Sequence, residues 1–485
     1  MRTLRTAMLS AACSVALAAC MVGPDYHRPE VAVPAAYGYQ TAAAVEAEAL
    51  AWWKQLGDPV LDDLIDKSLA QNKDLAVAAA RVDEFYGRFM STRSSLFPQL
   101  GGDFNAGRSR TPATRLTPAF ETTQIQADLR ASWELDLFGR LRRLTESARA
   151  DLMSSEYARQ ATRISLVASV ASGYILLRDL DQRLAIARST LESRKGAADL
   201  FHLRFKGGVV SEVQVAQADS EYASATASVA SFQQQVKFQE NALALLLGEN
   251  PGPIPRGKTI DEIVAPAIPA GLPSALLDRR PDIRLAEEQL HSANAQIGAA
   301  RAQYFPTISL TGLFGSASDA LSGLWEGPAE VWSYAGAAAM PIFTGGGIAG
   351  SVKAAEARQQ EALFQYQAAI QNAFADVDNS LTGVARTKEQ LVATDAQVRA
   401  LAQYAKLSRD LYEGGYVSYL EVLDAERNLF NAQLSQASLQ DAYLGQIINV
   451  YKALGYGWPV DETAIAERGT PANREIDRIR ASETH

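Results

Sequence analysis

Cysteine is almost missing from this chain of 485 residues: there are two, Cys13 and Cys20. Both fall within the first twenty positions, so no disulfide can brace the rest of the chain. Histidine is nearly as scarce. His27, His202, His291 and His485 are scattered, and no H-E-x-x-H or C-x-x-C spacing is present to hold a metal. With no catalytic constellation in view, neither an enzyme nor a cofactor nor a metal is expected. Positive charge is also in deficit. Lys and Arg number 46 against 55 Asp and Glu, a net charge of −9, where a nucleic-acid partner would call for a basic field. Beyond the N-terminus no uninterrupted apolar run reaches the ~18–20 residues of a transmembrane helix. That excludes helical spanning only, because membrane β-strands leave a far weaker hydropathy signal. A hydrophobic content of 47% with 21% charge otherwise fits a folded chain.

What the N-terminus does have is a leader. Arg2 and Arg5 precede the short apolar stretch "AMLSAACSVALAA", too short to anchor in a bilayer. The stretch runs into Leu17-Ala18-Ala19-Cys20, which looks like a bacterial lipobox. This predicts cleavage after residue 19 and a lipid on Cys20. Met21 stands where an aspartate typically retains lipoproteins in the inner membrane, so sorting to the outer membrane is expected.

The chain is also written twice. "RFKGGVVSEVQVAQAD" at 204–219 and "LYEGGYVSYLEVLDAE" at 411–426 share six of sixteen positions in register. Chance would give about one. "LFPQL" at 96–100 is answered by "YFPTI" at 304–308, "NKDLAVAAARV" at 72–82 by "RPDIRLAEEQL" at 280–290, and "LLLG" at 245–248 by "KALG" at 452–455. A constant offset of 207 or 208 means that one unit of about two hundred residues was duplicated, giving two halves and not a solenoid array.

Each half predicts the same order of elements. A helical segment (60–94, then 282–303) runs to a Phe-Pro stop. Two strands follow, the clearest lying within "QIQADLRASWELDLF", where Ile125, Ala127, Leu129, Ala131, Trp133, Leu135 and Leu137 alternate with polar residues. Its companions are read at 99–109, 307–316 and 331–343. A long proline-free helical run comes next (140–206 and 350–411), about 90–100 Å at 1.5 Å per residue. A Gly-Gly turn then leads to a returning helix. In the second half that helix carries Leu423, Phe430, Leu434, Ala437, Leu444, Ile448 and Tyr451 at 3,4 spacing, interrupted by Arg427 and Asp441. Four strands cannot close a membrane barrel, which needs about eight or more, so several copies must pool them; their number stays open at this point.

The residues then resemble a known family, the TolC-like outer-membrane factors of tripartite efflux pumps, in their lipoprotein (NodT-type) branch. The motifs are "CMVGPDYHRP" from Cys20, "LPSALLDRRPDIRLAE" at 272–287, "PIFTGGG" at 341–347, "YEGGYVSYLEVLDAER" at 412–427 and "VYKALGYGW" at 450–458. The resemblance implies a mainly α fold with a membrane β-barrel: a homotrimer whose twelve strands form an outer-membrane barrel continuous with a long periplasmic α-barrel and an equatorial domain. It divides the chain into a leader (1–19), an N-terminal segment (20–58), a first repeat (59–248), a linker (249–280), a second repeat (281–455) and a C-terminal tail (456–485). It further implies passive conduction of drugs or other small toxic compounds in a Gram-negative bacterium, with a periplasmic adaptor, an inner-membrane pump of the RND type and outer-membrane lipid as partners.

By the same resemblance, the tip turns Gly207-Gly208-Val209 and Gly414-Gly415-Tyr416 are where an adaptor docks, and Leu420 with Asp424 faces a pinched pore as a gate. Three carboxylates around an axis would form a charged constriction. "GGGIAG" at 345–350 spells G-x-G-x-x-G, but no βαβ unit follows and it reads as a strand-to-helix joint. Two rival readings are an exit duct for type I protein secretion and a periplasmic coiled-coil scaffold that never spans the membrane.

Overall fold

The computed structural model describes residues 21–31, 51–268 and 276–457. The expected leader, Cys20 and the tail from 458 onward lie outside the described residues. In the first half, helices α1 (Pro59–Gln71) and α2 (Lys73–Ser94) lead to strands β1 (Gln99–Thr111) and β2 (Phe120–Leu135), then to α3 (Arg140–Lys206) and α4 (Glu212–Leu246). In the second, α5 (Leu276–Arg279) and α6 (Pro281–Ala302) lead to β3 (Thr307–Ser318) and β4 (Glu330–Ala339), then to α7 (Gly347–Glu413) and α8 (Tyr419–Ala453). The duplication shows in the lengths: 22 residues in α2 and α6, 67 in α3 and α7, 35 in α4 and α8. The two longest helices each run about 100 Å.

The helical segment read at 60–94 is two helices. Asn72 breaks it in an extended conformation; its side-chain oxygen accepts from the Leu75 N–H and its Nδ2 donates to the Leu246 carbonyl, both at 2.9 Å. One residue thus caps the start of α2 and satisfies a carbonyl at the end of α4.

The four strands form one antiparallel sheet in the order β1-β2-β3-β4, with the β2–β3 pairing joining the two halves. Its register keeps parity. Phe104 faces Ala127, Leu129 faces Phe314, and Phe314 faces Trp332. One surface therefore collects Leu100, Phe104, Leu129, Trp133, Phe314 and Trp332, all exposed. On the other surface, the Arg130 Nε lies 3.1 Å from Asp103 Oδ2 and 3.0 Å from Asp128 Oδ1. An apolar face turned outward over an ion-paired face is arranged for lipid.

The strand limits differ from those read in the sequence. β2 reaches back to Phe120 and stops at Leu135, short of Leu137. Asp136 leaves the strand to cap α3, its carboxylate accepting from the Leu141 and Arg142 N–H groups at 3.0 and 2.8 Å, where an anion also suits the helix dipole. β4 stops at Ala339 and not at 343, because Pro341 has no N–H to donate to a ladder.

The core lies near the middle of α3. Trp52, Trp53, Leu56, Leu61 and Ile65 pack with Tyr174, Ile175, Leu243, Ile448 and Tyr451. A buried hydrogen-bonded knot holds the connecting segments to it. Asp58 accepts from the Tyr174 hydroxyl (2.9 Å) and from the N–H groups of Val60 and Lys258 (both 3.0 Å). The same tyrosine oxygen accepts from the Gly257 N–H at 2.8 Å. Beyond this belt α4 packs on α3, α3 on α8 and α8 on α7, so the two hairpins run side by side away from the sheet.

Candidate functional site

The far end of the molecule consists of two turns of one design. Gly207 continues the right-handed helix (φ −81) and Gly208 takes the left-handed conformation (φ 75); Gly414 (φ −76) and Gly415 (φ 78) repeat this. Only the second glycine of each pair therefore needs a positive φ. Val209 N–H donates to the Arg204 carbonyl and Tyr416 N–H to the Leu411 carbonyl, both at 2.9 Å, closing each helix C-terminus in a Schellman-type turn. Ser211 then starts α4 with Gln214 in a capping box, and Ser418 starts α8. The residues at the apex stand free in the protomer: Val209 is 75% exposed and Tyr416 81%. A Cβ on Gly414 would come within 2.9 Å of the Tyr416 ring, which folds back over it.

Just above the turns the hairpins are bound to each other. Phe201, Val215 and Ala218 of the first pack with Tyr419, Val422 and Leu423 of the second; the Phe201 and Tyr419 ring centroids are 4.3 Å apart. The Arg204 Nη1 donates to the Tyr412 hydroxyl at 3.1 Å. One turn further in, the buried carboxylate of Glu221 on α4 pairs with Arg194 of α3 on one side and Arg427 of α8 on the other. Sequence reasoning missed this triad, although Arg427 was visible as a charge interrupting an apolar seam. Asp441, the other interruption, lies near the buried Asp179; burial first, and then that neighbouring charge, push its carboxyl up to about 6.

Leu420 and Asp424 lie one turn apart on α8 and outside this cluster. Leu420 is exposed, and Asp424 is exposed while accepting from Asn428 Nδ2 at 3.1 Å. The turns and this pair are thus brought to one end, about 100 Å of helix from the sheet. Gly345 and Gly346, both at positive φ, form the joint between β4 and α7. The sheet there is antiparallel throughout, so the G-x-G-x-x-G spelling has no dinucleotide-binding context. Among the described residues no group of acidic, histidine or cysteine side chains is arranged to hold a metal.

At the opposite end, the segment after Cys20 straps the foot of the sheet. Val22 N–H donates to the Phe138 carbonyl at 3.1 Å, and Arg143 Nη2 to Asp25 at 2.7 Å. Gly23, at φ 104, lies so close to Gly298 that a Cβ would approach its Cα to 2.4 Å. Tyr26 stacks on His291 at 4.7 Å.

A sheet with a lipid-suited outer face, continuous with two hairpins about 100 Å long, defines a channel protein of the bacterial outer membrane. The profile of the outer membrane efflux protein family matches residues 64–249 and again 272–456, once for each half, and the chain belongs to that family. The toluene efflux pump outer membrane protein TtgC of Pseudomonas putida is 36% identical over 452 residues, spanning 91% of this chain and 93% of its own. The cation efflux system protein CusC of Escherichia coli is 34% identical over 451 residues, spanning 92% and 97%. The solved open state of the Neisseria gonorrhoeae MtrE outer membrane channel superposes with a TM-score of 0.81 at 32% identity, covering 91% of this chain and 99% of that one. The protein is the outer-membrane component of an efflux pump, its exit duct. It is a transport component and not an enzyme.

Proposed function

We propose that three copies close the duct as a homotrimer, the open edge of β1 in one copy pairing with the open edge of β4 in the next to make a twelve-stranded barrel. The observation that carries this reading is the sheet itself: its apolar face suits lipid, yet both edges are open, and unpaired backbone groups in lipid cost several kcal/mol each. The side-by-side order α4-α3-α8-α7 continues the same ring as a periplasmic helical barrel. A periplasmic adaptor bridges the duct to an inner-membrane pump of the RND type. It docks on Gly207, Gly208 and Val209 of the first turn and on Gly414, Gly415 and Tyr416 of the second. The exposure of Val209 and Tyr416 supports this.

Leu420 and Asp424 form the gate, facing the axis from three copies, and their exposure on one helical face supports the assignment. The exported compounds are drugs or other small toxic molecules chosen by the pump; the named relatives handle cargo as different as toluene and cations. The division into N-terminal segment (20–58), first repeat (59–248), linker (249–280), second repeat (281–455) and tail (456–485) is the organisation that we assign. Cys20 carries a lipid. In support, its neighbour Met21 packs on Gly139 at the foot of β2, where an acyl chain would enter the periplasmic leaflet.

The purified protein inserted into planar lipid bilayers tests the reading: discrete conductance steps from an oligomer of three are expected, and the absence of pores would sink it. Cys20→Ser should abolish metabolic labelling with palmitate while leaving pores intact.

A further inference from the structure

On the outward face of the sheet the apolar rows of β1 and β2 end at one level. Along β1 the row Leu100, Gly102, Phe104, Ala106 gives way to Arg108 and Arg110. Along β2 the row ending at Ile125 gives way to Thr123 and Glu121. The register sets these changes side by side, since Ala106 faces Ile125, Arg108 faces Thr123 and Arg110 faces Glu121. On β3 the same row turns polar somewhat lower, at Ser316 and Ser318, which face Ala127 and Ile125.

The level is the outer boundary of the membrane. Leu100 faces Ala131, and the apolar row of β2 continues four residues lower, to Leu135. From there to Arg108 is about twelve residues, or roughly 40 Å along a strand and about 30 Å along the normal at a tilt near 40°. That equals the hydrocarbon thickness of a bilayer. Because β1 leaves α2 at its N-terminal end, Arg108 and Arg110 stand at the extracellular side.

Within one protomer these two guanidiniums have little protein to answer them. Their side chains are 71% and 72% exposed, and both lean on one carboxylate, Glu121, which Arg110 approaches only to 3.6 Å. Arg115 is exposed in the turn that follows. Three arginines and one acid thus occupy residues 108–121, while the second outer hairpin, 316–330, holds Asp319, Glu326 and Glu330 and no base. A guanidinium on a lipid-facing row is tolerated only near the interface, and there it binds phosphate oxygens through paired N–H groups. Arg108 and Arg110, two residues apart on one row, offer two such forks about 7 Å apart.

We propose that Arg108, Arg110 and Arg115 form a site for the phosphate groups of the anionic glycolipid of the outer leaflet, one bound headgroup per chain, with Glu121 holding the two strand guanidiniums in place. The inference rests on the outer-membrane placement of the sheet and is independent of the gate and of the lipid anchor.

The test uses the full-length oligomer in a glycolipid-free detergent, titrated with lipid A carrying both phosphates, with dephosphorylated lipid A and with inorganic phosphate, and read by native mass spectrometry. Phosphorylated lipid A should bind about tenfold more tightly than the dephosphorylated form, and about tenfold more tightly than it binds the R108Q/R110Q variant. The R108K/R110K variant should keep part of the affinity, and every variant should retain the oligomer without glycolipid. Equal binding of both lipid A forms, or undiminished binding by R108Q/R110Q, overturns the proposal. So does displacement by millimolar phosphate, which would mark an ion site, or dissociation of R108Q/R110Q in glycolipid-free detergent, which would mark the arginines as contacts between copies.

Discussion

Replacing Glu221 with alanine should unfasten the two hairpins and shift the tip toward its open form. The carboxylate and its Arg194 partner are each 7% exposed, whereas Arg427 is 51% exposed. Breaking one side of a buried pair costs about 3–5 kcal/mol. The Arg194 guanidinium keeps its position 5.8 Å over the Phe430 ring, which argues for the lower end. A loss of about 3 kcal/mol is a factor of roughly 150, enough to bring a closed-to-open ratio near 100:1 down to about 1:1. Arg427→Gln removes the solvated arm, worth at most about 1 kcal/mol, and should shift the ratio no more than about fivefold. Single-channel recording in planar bilayers measures both, with circular dichroism confirming that the oligomer is folded. If Glu221→Ala conducts like the parent protein while melting at a lower temperature, the triad is a brace and takes no part in gating.

Three further outcomes follow from the geometry. Leu420→Ala and Asp424→Ala should each raise bilayer conductance; unchanged conductance would remove both residues from the gate. Gly415→Ala should destabilise by about 1–2 kcal/mol because it forces a side chain into the left-handed region, while Gly207→Ala should be neutral or slightly stabilising, a contrast that thermal melts resolve. Burial and the Asp179 charge raise Asp441 to about 6 in the folded protein against 3.8 in the unfolded chain, so the folded state binds the extra proton and this group's contribution to stability is most favourable below pH 4, falling as pH rises through 6. Asp441→Asn should therefore flatten the melting temperature over that interval and add about 1–2 kcal/mol at pH 8, allowing for the partial exposure of the site.

Much of the architecture was legible because its signals are local and repeated. The Gly-Gly pairs, the Phe-Pro stops and the strict alternation around Leu129 and Trp133 each depend on a few neighbouring residues, and the second half restates them at one offset. The break at Asn72 was not legible, since its side chain acts as a cap only because the end of α4 lies beside it. Asp136 misled for a related reason: its place in the alternation continues the strand pattern, while its carboxylate is captured by the start of α3. Arg427 and Asp441 stood out as charges in an apolar seam, yet nothing in the seam named Glu221 or Asp179 as the groups they meet.

By itself, then, the sequence determined the duplication, the order and approximate length of the elements, and the face of each strand that is apolar, because backbone propensity and side-chain period are properties of short stretches. The tertiary structure alone decided which residues two hundred or more positions apart would touch: Glu221 with Arg427, Arg204 with Tyr412, the segment around Gly23 with Gly298. It also decided the level at which the arginines of β1 stand. Those are matters of how 67-residue helices lie beside one another and how strands slide into register, and each is set by packing summed over the whole length of an element.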